Sequence, residues 1–323
     1  MPAERVHSAR RTVSIAAPAH VVYGMLADAP RWPVLWPTYV HVERMDFDGA
    51  AETLLAWEFE DGRVRSSRLR RTLRPQARSV DFEQDDPAWP GDTVAGCWSV
   101  EPDGAERSLV TLRQETPHAH TGTSAGPDGP DADVAERLAR LCEAAERWDR
   151  LDELLLAFEE RIRVEGPAEL VYAFLYRVEE WPELLPHVDD ISVREDRPGT
   201  QVVVLDTGAA EAGPPAGPDG TAGSETVRLC FPHAGRIVFK ETAPRGPIAA
   251  HSGEWSLVPD ESGLTVACAH RVLLREESVE PAPGAGALPV DARRQVRERL
   301  GRESRETLRL AKWHAESPVR RLR

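Results

Sequence analysis

The sequence predicts an α+β fold that occurs twice in tandem, each copy being a curved antiparallel sheet wrapped around a long C-terminal helix with an internal cavity. The first observation is a repeat, because RWPVLWPTYV at residues 31–40 returns as EWPELLPHVD at residues 180–189. The second is that several alternating, strand-like segments and then a helix-like segment follow each copy. Solenoid units repeat every 20–50 residues. A separation of 149 residues therefore indicates a duplicated domain.

The matched positions keep two constant separations along the chain. Residues 14–37 align with residues 163–186, and every matched pair is 149 residues apart. Farther along, Arg71 aligns with Arg228, and this pair is 157 residues apart. A gene duplication followed by one localised insertion would leave this pattern of two fixed separations.

The second copy has therefore gained eight residues between the two sets of matches. The Gly/Pro/Ala stretch at 206–223 is the obvious place, and its composition predicts an exposed, mobile loop. CWSVEPD at 97–103 and EWSLVPD at 254–260 keep the later separation. The predicted domains are residues 1–153 and residues 154–323.

Each copy gives the same order of elements. A short strand (TVSIAA, ERIRVEG) leads through Pro into a short amphipathic helix (AHVVYGMLAD, AELVYAFLYR) and then the Trp-Pro turn. In the first copy the alternating segments HVERMDF, TLLAWEFE, VRSSRLRRTLRP, RSVDFEQ, GCWSVEP and SLVTLRQE predict an antiparallel meander. Apolar residues at helical spacing predict the terminal helices. They are Val134, Leu138, Leu141, Ala145 and Trp148 in the first copy, and Ala292, Val296, Leu300, Leu308 and Ala311 in the second.

Composition excludes several classes of function. The formal net charge of −14 argues against nucleic-acid binding, which needs positive charge. No apolar stretch approaches the roughly 20 residues of a membrane span, and the N-terminus does not resemble a signal peptide. The four cysteines stand far apart and form no CxxC pair, which indicates neither zinc nor a disulfide framework. We expect a cytoplasmic protein without a metal.

The order of strand, helix, WP-x-L turn, antiparallel strands and terminal helix resembles the START-like helix-grip fold. The Trp-Pro turn, a strand carrying Arg71 and the sequence WSVEPDG at 98–104 are similar to the polyketide aromatase/cyclases of bacterial type II polyketide synthases. Two tandem copies in 323 residues resemble the didomain subclass of that family.

The resemblance implies a cofactor-free enzyme that acts on a poly-β-ketone held on an acyl carrier protein. The expected reaction is the aldol closure of the first ring, typically between carbons 7 and 12 in didomain members, and/or the dehydration that makes this ring aromatic. The expected partners are the carrier protein and other subunits of the synthase. The run from Arg63 to Arg78 holds seven arginines, and these or SPVRRLR at the C-terminus are candidates for carrier docking.

Arg71 and Arg228 are the first catalytic candidates, because they match the pocket arginine of the family. An inward-facing guanidinium can bind ketone oxygens while charge develops. The alternative is an outward-facing arginine, and Arg70 competes with Arg71 for the inward phase.

The family usually has Trp and Ser at the positions four and two residues before this arginine. Ser67 and Leu69 stand there in the first copy, and Ser224 and Thr226 in the second. Loss of the Trp predicts wider pockets. Leu69 casts doubt on a full catalytic set in the first domain.

Histidines are the natural proton carriers near neutral pH. His251 shares a strand face with Trp255, and His270 lies on the next strand, so both are candidates for the cavity. A structural role is the alternative for each. His118 and His120 lie in a Gly/Pro-rich loop and are predicted to be solvated.

The remaining pocket candidates are aromatic. Tyr39 matches a pocket tyrosine of the family, where the second copy has Val188, and Trp57 lies on the strand-like segment TLLAWEFE. Trp32 and Trp181 match a tryptophan at the family cavity, with plain core packing as the alternative.

Two other functions stay open from sequence. One is a START-like carrier that binds a lipid, a sterol or a polyketide without chemistry. The other is a scaffold in which one domain is degenerate and only fills the dimer or carrier interface. Because the second domain keeps Arg228, a hydroxyl at Thr226 and His251, we expect it to contribute more to proton transfer than the first.

Overall fold

The computed structural model describes residues 6–85, 93–117, 130–185, 188, 190–206, 224–261, 263–279 and 289–317. It contains two compact units that divide between Leu151 and Asp152. The predicted loop at 206–223 lies outside the described residues except for its first residue. His118, His120 and all of SPVRRLR except its serine also lie outside them.

The first domain consists of one seven-stranded antiparallel sheet and a terminal helix. The sheet has the strand order β1-β7-β6-β5-β4-β3-β2. Its strands are β1 (Val6–Ile15), β2 (Tyr39–Phe47), β3 (Ala51–Glu60), β4 (Arg63–Arg74), β5 (Ser79–Asp85), β6 (Thr93–Pro102) and β7 (Ser108–Pro117). Its helices are α1 (Ala19–Ala27), α2 (Trp32–Leu35) and α3 (Pro130–Ala145), with a 3₁₀ turn at Ala29–Arg31 and a short helix α4 (Leu151–Leu154) at the domain boundary.

The second domain has the same arrangement. Its sheet has the strand order β8-β14-β13-β12-β11-β10-β9, which repeats the first order strand by strand. The strands are β8 (Leu155–Val164), β9 (Asp190–Arg197), β10 (Thr200–Asp206), β11 (Ser224–Phe231), β12 (Arg236–Glu241), β13 (Ile248–Asp260) and β14 (Gly263–Leu274). The helices are α5 (Ala168–Tyr176), α6 (Glu276–Val279) and α7 (Pro289–Glu316), with 3₁₀ turns at Val178–Glu183 and Pro232–Ala234. The predicted α+β fold in two tandem copies is confirmed.

The terminal helices differ in length. Helix α7 runs for 28 residues, whereas α3 ends after 16 residues at Ala145. Trp148, which was assigned to the first helix, lies in the turn that follows it and still packs against the core. The spacing of the apolar residues thus predicted the buried face correctly, but it predicted a first terminal helix that is one turn too long.

A glycine on β6 and its counterpart on β13 keep the same close contact in both domains. A Cβ added to Gly96 would lie 2.5 Å from the ring of Phe82 and from the carbonyl oxygen of Arg113. At Gly253 the added Cβ would approach the ring of Phe239 even more closely. The phenylalanine ring covers the glycine backbone, so any side chain at these positions must displace part of the core.

We therefore expect Gly253→Ala and Gly96→Ala each to lower the free energy of unfolding by about 1–3 kcal/mol, the usual cost of overpacking. Urea unfolding followed by circular dichroism measures the change. Gly24→Ala in α1 is the control, because its added Cβ meets nothing within 4 Å and alanine favours a helix. Unfolding of both strand variants at the wild-type urea concentration would contradict this packing argument.

Candidate active site

The repeated Trp-Pro turn and the repeated arginine meet at the end of α1. The Trp32 indole N–H donates to the carbonyl oxygen of Met25 at 3.1 Å. The Arg71 guanidinium donates to the carbonyl oxygens of Leu26 and Ala27 at 2.6 and 2.9 Å. The last carbonyls of a helix have no partner within the helix. These two side chains therefore cap the C-terminus of α1.

The second domain repeats this cap at the end of α5. The Trp181 indole N–H donates to the carbonyl oxygen of Phe174 at 3.1 Å. The Arg228 guanidinium donates to the carbonyl oxygens of Leu175 and Tyr176. In both domains the guanidinium carbon also lies over the tryptophan ring, at 4.7 Å in the first and 5.8 Å in the second.

The arginines have a further partner one strand away, and here the domains differ. Arg71 Nε donates to Glu52 at 2.8 Å, and the Glu52 side chain is fully buried. The residue at the matching position is Gln201, whose oxygen accepts from Arg228 at 2.8 Å. Burial lowers the pKa of both arginines, and Glu52 partly offsets this for Arg71.

This geometry gives Arg71 and Arg228 a structural role, and the catalytic role predicted for them stays a prediction. Both line a cavity as expected, but their donors serve backbone carbonyls and a neighbouring side chain. We assign them to anchoring the helix end, and direct stabilisation of an oxyanion is no longer needed to explain why they repeat. Arg70, the competitor of Arg71, points outward and binds Glu83 and Asp85.

The two domains enclose cavities of very different size. The cavity of the first domain has a volume of about 120 Å³, and that of the second about 800 Å³. Pockets for drug-sized ligands usually have volumes of about 300–1,000 Å³. Of these two cavities, which include residues of the terminal helices, the second reaches that range; the first domain also has a pocket of about 790 Å³ that is lined by strand residues such as Arg70, Asp81 and Arg113.

Larger side chains account for the smaller cavity. Trp36, Tyr39 and Leu69 line it, where the second domain has Leu185, Val188 and Thr226 at the matching positions. The expected widening from loss of the family Trp is therefore wrong for the first domain, since neighbouring side chains fill the space.

Charged residues of α3 close the rest of the first cavity. Arg137 binds Asp133 at 3.2 Å, and Gln114 donates to the same carboxylate at 2.8 Å. Burial and the adjacent Glu58 raise the pKa of Tyr39 well above its usual value. The small cavity is thus lined by a packed ionic network and has little space for an apolar chain.

The structure brings together most of the predicted pocket residues. Trp32 and Tyr39 line the first cavity, and Ser67 lies just behind its wall, where it accepts a hydrogen bond from Gln84 at 3.1 Å. The second cavity is lined by the other predicted residues. They are Trp181, Ser224, Thr226, Arg228, His251 and His270.

Trp57 was placed in the pocket, and this is wrong. Inward positions on β3 are Leu54, Ala56 and Glu58, so Trp57 points to the opposite face of the sheet, where its ring lies 5.4 Å from that of His41. The segment TLLAWEFE carries apolar residues in both phases, and alternation alone could not choose between them.

Four side chains form a continuous series of polar contacts in the second cavity, namely one ion pair and two hydrogen bonds. His251 Nδ1 lies 3.3 Å from a carboxylate oxygen of Glu241, and His251 Nε2 lies 3.0 Å from His270 Nδ1. His270 Nε2 lies 2.7 Å from the Ser304 hydroxyl. Glu241 and Ser304 line the same cavity but were not predicted from the sequence.

The protonation states of His270 and Glu241 follow from burial and from neighbouring charged groups. Burial, together with the neighbouring His251 and Arg297, lowers the pKa of His270 to about 2, so His270 is neutral. Burial tends to raise the pKa of Glu241, but His251 and two arginines outweigh it, and the pKa is lowered. Glu241 is therefore an anion at neutral pH.

Comparison with known proteins decides the family. Residues 6–154 and 164–303 match two family models, both described as polyketide cyclase/dehydrase and lipid transport. The bifunctional cyclase/dehydratase of the granaticin polyketide synthase from Streptomyces violaceoruber is 31% identical over 317 residues, which cover 96% of this chain and 95% of the relative. The chain belongs to the polyketide cyclase/dehydrase family.

Other relatives of this polyketide cyclase/dehydrase agree in length and fold. The bifunctional cyclase/dehydratase of the actinorhodin polyketide synthase from Streptomyces coelicolor is 31% identical, over 94% of this chain and 96% of the relative. The crystal structures of the di-domain aromatase/cyclases BexL and StfQ superpose with TM-scores of 0.80 and 0.79, at 32% and 28% identity. Each covers 96% of this chain and 99% of the solved chain. The expected resemblance to didomain aromatase/cyclases, and with it the assignment as an enzyme, is confirmed.

Within this cyclase/dehydrase only the second domain contains the histidine chain. The first domain has Gln84 and Val94 at the positions of Glu241 and His251. Gln114 pairs with Gly96 in the first sheet, at the position where His270 pairs with Gly253 in the second. The first cavity thus lacks side chains that exchange protons at these three positions.

Two further observations concern cofactors and membranes. Among the described residues, no three His, Cys, Asp or Glu side chains come together in a group able to hold a metal ion. Across the same part of the chain, no helix combines the length and the apolar character that crossing a membrane requires.

Proposed function

We propose that this protein closes the first ring of an acyl-carrier-bound poly-β-ketone by an aldol reaction, joining carbons 7 and 12, and dehydrates that ring toward an aromatic product. The observation that carries the proposal is the second cavity, which combines a volume of about 800 Å³ with a chain of titratable side chains on its wall. Its relatives are named as bifunctional cyclase/dehydratases.

The second domain is the proposed site of the chemistry. Ring closure needs a flexible chain held in one register, and a cavity of ligand size with a rigid wall supports that. Dehydration needs a positioned acid and base, and His251 lies beside an anionic Glu241 at the wall of this cavity. The first domain, with its small cavity and without the histidine chain, is proposed to support the fold and partner docking.

A carrier that binds a lipid, a sterol or a polyketide without chemistry is the second candidate. The description of both family models includes lipid transport. Burying polar side chains costs free energy unless they are paired, and an apolar ligand gains nothing from them. The buried His251 and His270, together with the partly buried Glu241, therefore favour a site that transfers protons.

The carrier protein is proposed to dock on exposed side chains of β4. Arg63, Arg65 and Arg68 are exposed there, and none forms an ion pair with a described residue. Arg70 and Arg74 on the same strand are paired with acidic side chains of β5. Three exposed arginines without an ion-pair partner support docking of an acidic protein by long-range attraction.

Filling the second cavity tests the proposed function. We expect Ser224→Trp to abolish formation of the first-ring product, because an indole would occupy space that the substrate needs. The measurement is product analysis with a reconstituted ketosynthase pair, carrier protein and the variant. Val258→Trp is the control, since Val258 lies on β13 of the same domain and is 56% exposed. Wild-type product from a folded Ser224→Trp variant would refute the assignment of the second cavity.

A further inference from the structure

The four side chains Glu241, His251, His270 and Ser304 connect three strands and the terminal helix of the second domain. Glu241 ends β12, His251 and His270 lie on β13 and β14, and Ser304 lies on α7. His251, His270 and Ser304 are no more than 5% exposed. Hydrogen bonds therefore link His251, His270 and Ser304 along the cavity wall, and Glu241 forms an ion pair with His251 at the start of this path.

The hydrogen atoms can be placed on this path in one way if His251 carries a positive charge. His251 then faces the Glu241 carboxylate with its Nδ1–H, 3.3 Å away, and donates from Nε2 to His270 Nδ1. His270 donates from Nε2 to Ser304 Oγ, and the Ser304 hydroxyl donates to the carbonyl oxygen of Leu300 at 2.8 Å. Every donor on the path has an acceptor in this state.

A second placement satisfies the same path with a neutral His251. His251 Nε2 now accepts from His270 Nδ1, and His270 Nε2 accepts from the Ser304 hydroxyl. The two states differ by one proton on His251 and by the tautomer of His270. The change from the charged to the neutral state releases the hydroxyl proton of Ser304. The Nε2 proton of His270 moves to the Ser304 oxygen in its place, and the Nε2 proton of His251 moves to His270 Nδ1.

We propose that Ser304 donates the proton for the dehydration step, and that Glu241, His251 and His270 supply it. This inference rests on the proposed function and names the atom that contacts the leaving hydroxyl. Ser304 is suited to this contact because it lies at the end of the path and lines the cavity. Glu241 keeps its negative charge throughout and stabilises the charged form of His251.

The reaction balances without any other reactant. The Ser304 proton joins the hydroxyl of the closed ring, and the C–O bond breaks with its electron pair leaving on water. The electrons of the neighbouring C–H bond form the new C=C bond. Its proton returns to the Ser304 oxygen, while Ser304 passes its own proton to His270 Nε2 and His270 passes its Nδ1 proton to His251 Nε2, so the charged state of the path is restored.

The surroundings hold His270 in the position that a relay needs. The Phe158 ring stacks on His270 at 4.7 Å, and the Arg297 guanidinium lies over the Phe158 ring at 4.0 Å. Cys268 Sγ lies 3.3 Å from His270 Nε2, and burial raises the pKa of this thiol, so it stays neutral. A neutral, oriented His270 passes a proton on and does not retain it.

The test is Ser304→Ala in the reconstituted synthase, with separate measurement of the closed but undehydrated ring and of the aromatic ring. We expect ring closure to continue and dehydration to slow by about 100-fold or more, so that the hydroxylated ring accumulates. His270→Gln is expected to give the same product pattern. Glutamine, which the first domain has opposite Gly96, forms hydrogen bonds but does not pass a proton between its two ends.

Two controls separate proton transfer from a loss of packing. Thr307→Val removes a buried hydroxyl one turn along the same helix, which donates to the carbonyl oxygen of Glu303 and makes no contact with His270. Ser304→Thr keeps a hydroxyl and is expected to restore dehydration.

Three results would overturn the inference. They are wild-type dehydration by Ser304→Ala, wild-type dehydration by His270→Gln, and an equal loss in Thr307→Val. Failure of the wild-type protein to close the ring would instead refute the proposed function. This outcome is distinguishable because neither the closed, undehydrated ring nor the aromatic ring would form.

Discussion

Replacing His251 with glutamine is expected to lower the rate of aromatic first-ring formation by about 10²–10⁴-fold, the usual contribution of a general acid–base group. Glutamine retains hydrogen-bonding capacity beside Glu241 but does not exchange a proton at neutral pH. The measurement is the initial rate of product formation with a reconstituted synthase, after circular dichroism has shown that the variant is folded.

His233→Gln is the matched control for this experiment. His233 is an exposed residue of the second domain that lies in the 3₁₀ turn after β11, away from the cavity. We expect His233→Gln to retain the wild-type rate. A folded His251→Gln variant that is as fast as His233→Gln would remove His251 from the mechanism.

Arg71→Ala is expected to destabilise the first domain by about 3–5 kcal/mol, because it leaves a buried carboxylate without its main partner. The Glu52 side chain is fully buried, and its other cation, Arg44, is 37% exposed. Hydrogen exchange of peptides from β3 and β4, read by mass spectrometry, follows this domain separately from the second.

The second domain supplies the matched comparison. Arg228 has the neutral Gln201 in place of Glu52, so Arg228→Ala leaves only uncharged acceptors and is expected to cost about 1–3 kcal/mol. Combining Arg71→Ala with Glu52→Gln should recover part of the lost stability. Protection of β3 and β4 that is unchanged in Arg71→Ala would show that the ion pair contributes nothing to the fold.

The repeat made the fold predictable from sequence. Trp32 and Trp181, and Arg71 and Arg228, stand at matching positions because each pair caps the same helix end. Residues that both copies need for folding are the ones that an internal comparison detects. The same symmetry does not distinguish a helix cap from a catalytic group, so the catalytic role predicted for the two arginines stays a prediction.

The candidate site was less predictable because its residues do not repeat. His251 and His270 were found through their residue type and strand position. Ser304 was not found, because only the packing of α7 on the sheet brings a serine of the helix within 2.7 Å of His270. Cavity size escaped prediction for a related reason, since it depends on how Arg137 of α3 lies against Tyr39 and Glu58.

The arginine caps have a consequence for the time course of folding. The bond from Arg71 to Leu26 spans 45 residues, and that from Arg228 to Leu175 spans 53. Contacts between such distant segments form only after the intervening chain has been ordered, so we place them after the rate-limiting barrier. Interactions that form late slow unfolding and leave the folding rate nearly unchanged. The two caps therefore act chiefly on the lifetime of the native state, which governs how long the protein resists irreversible thermal inactivation.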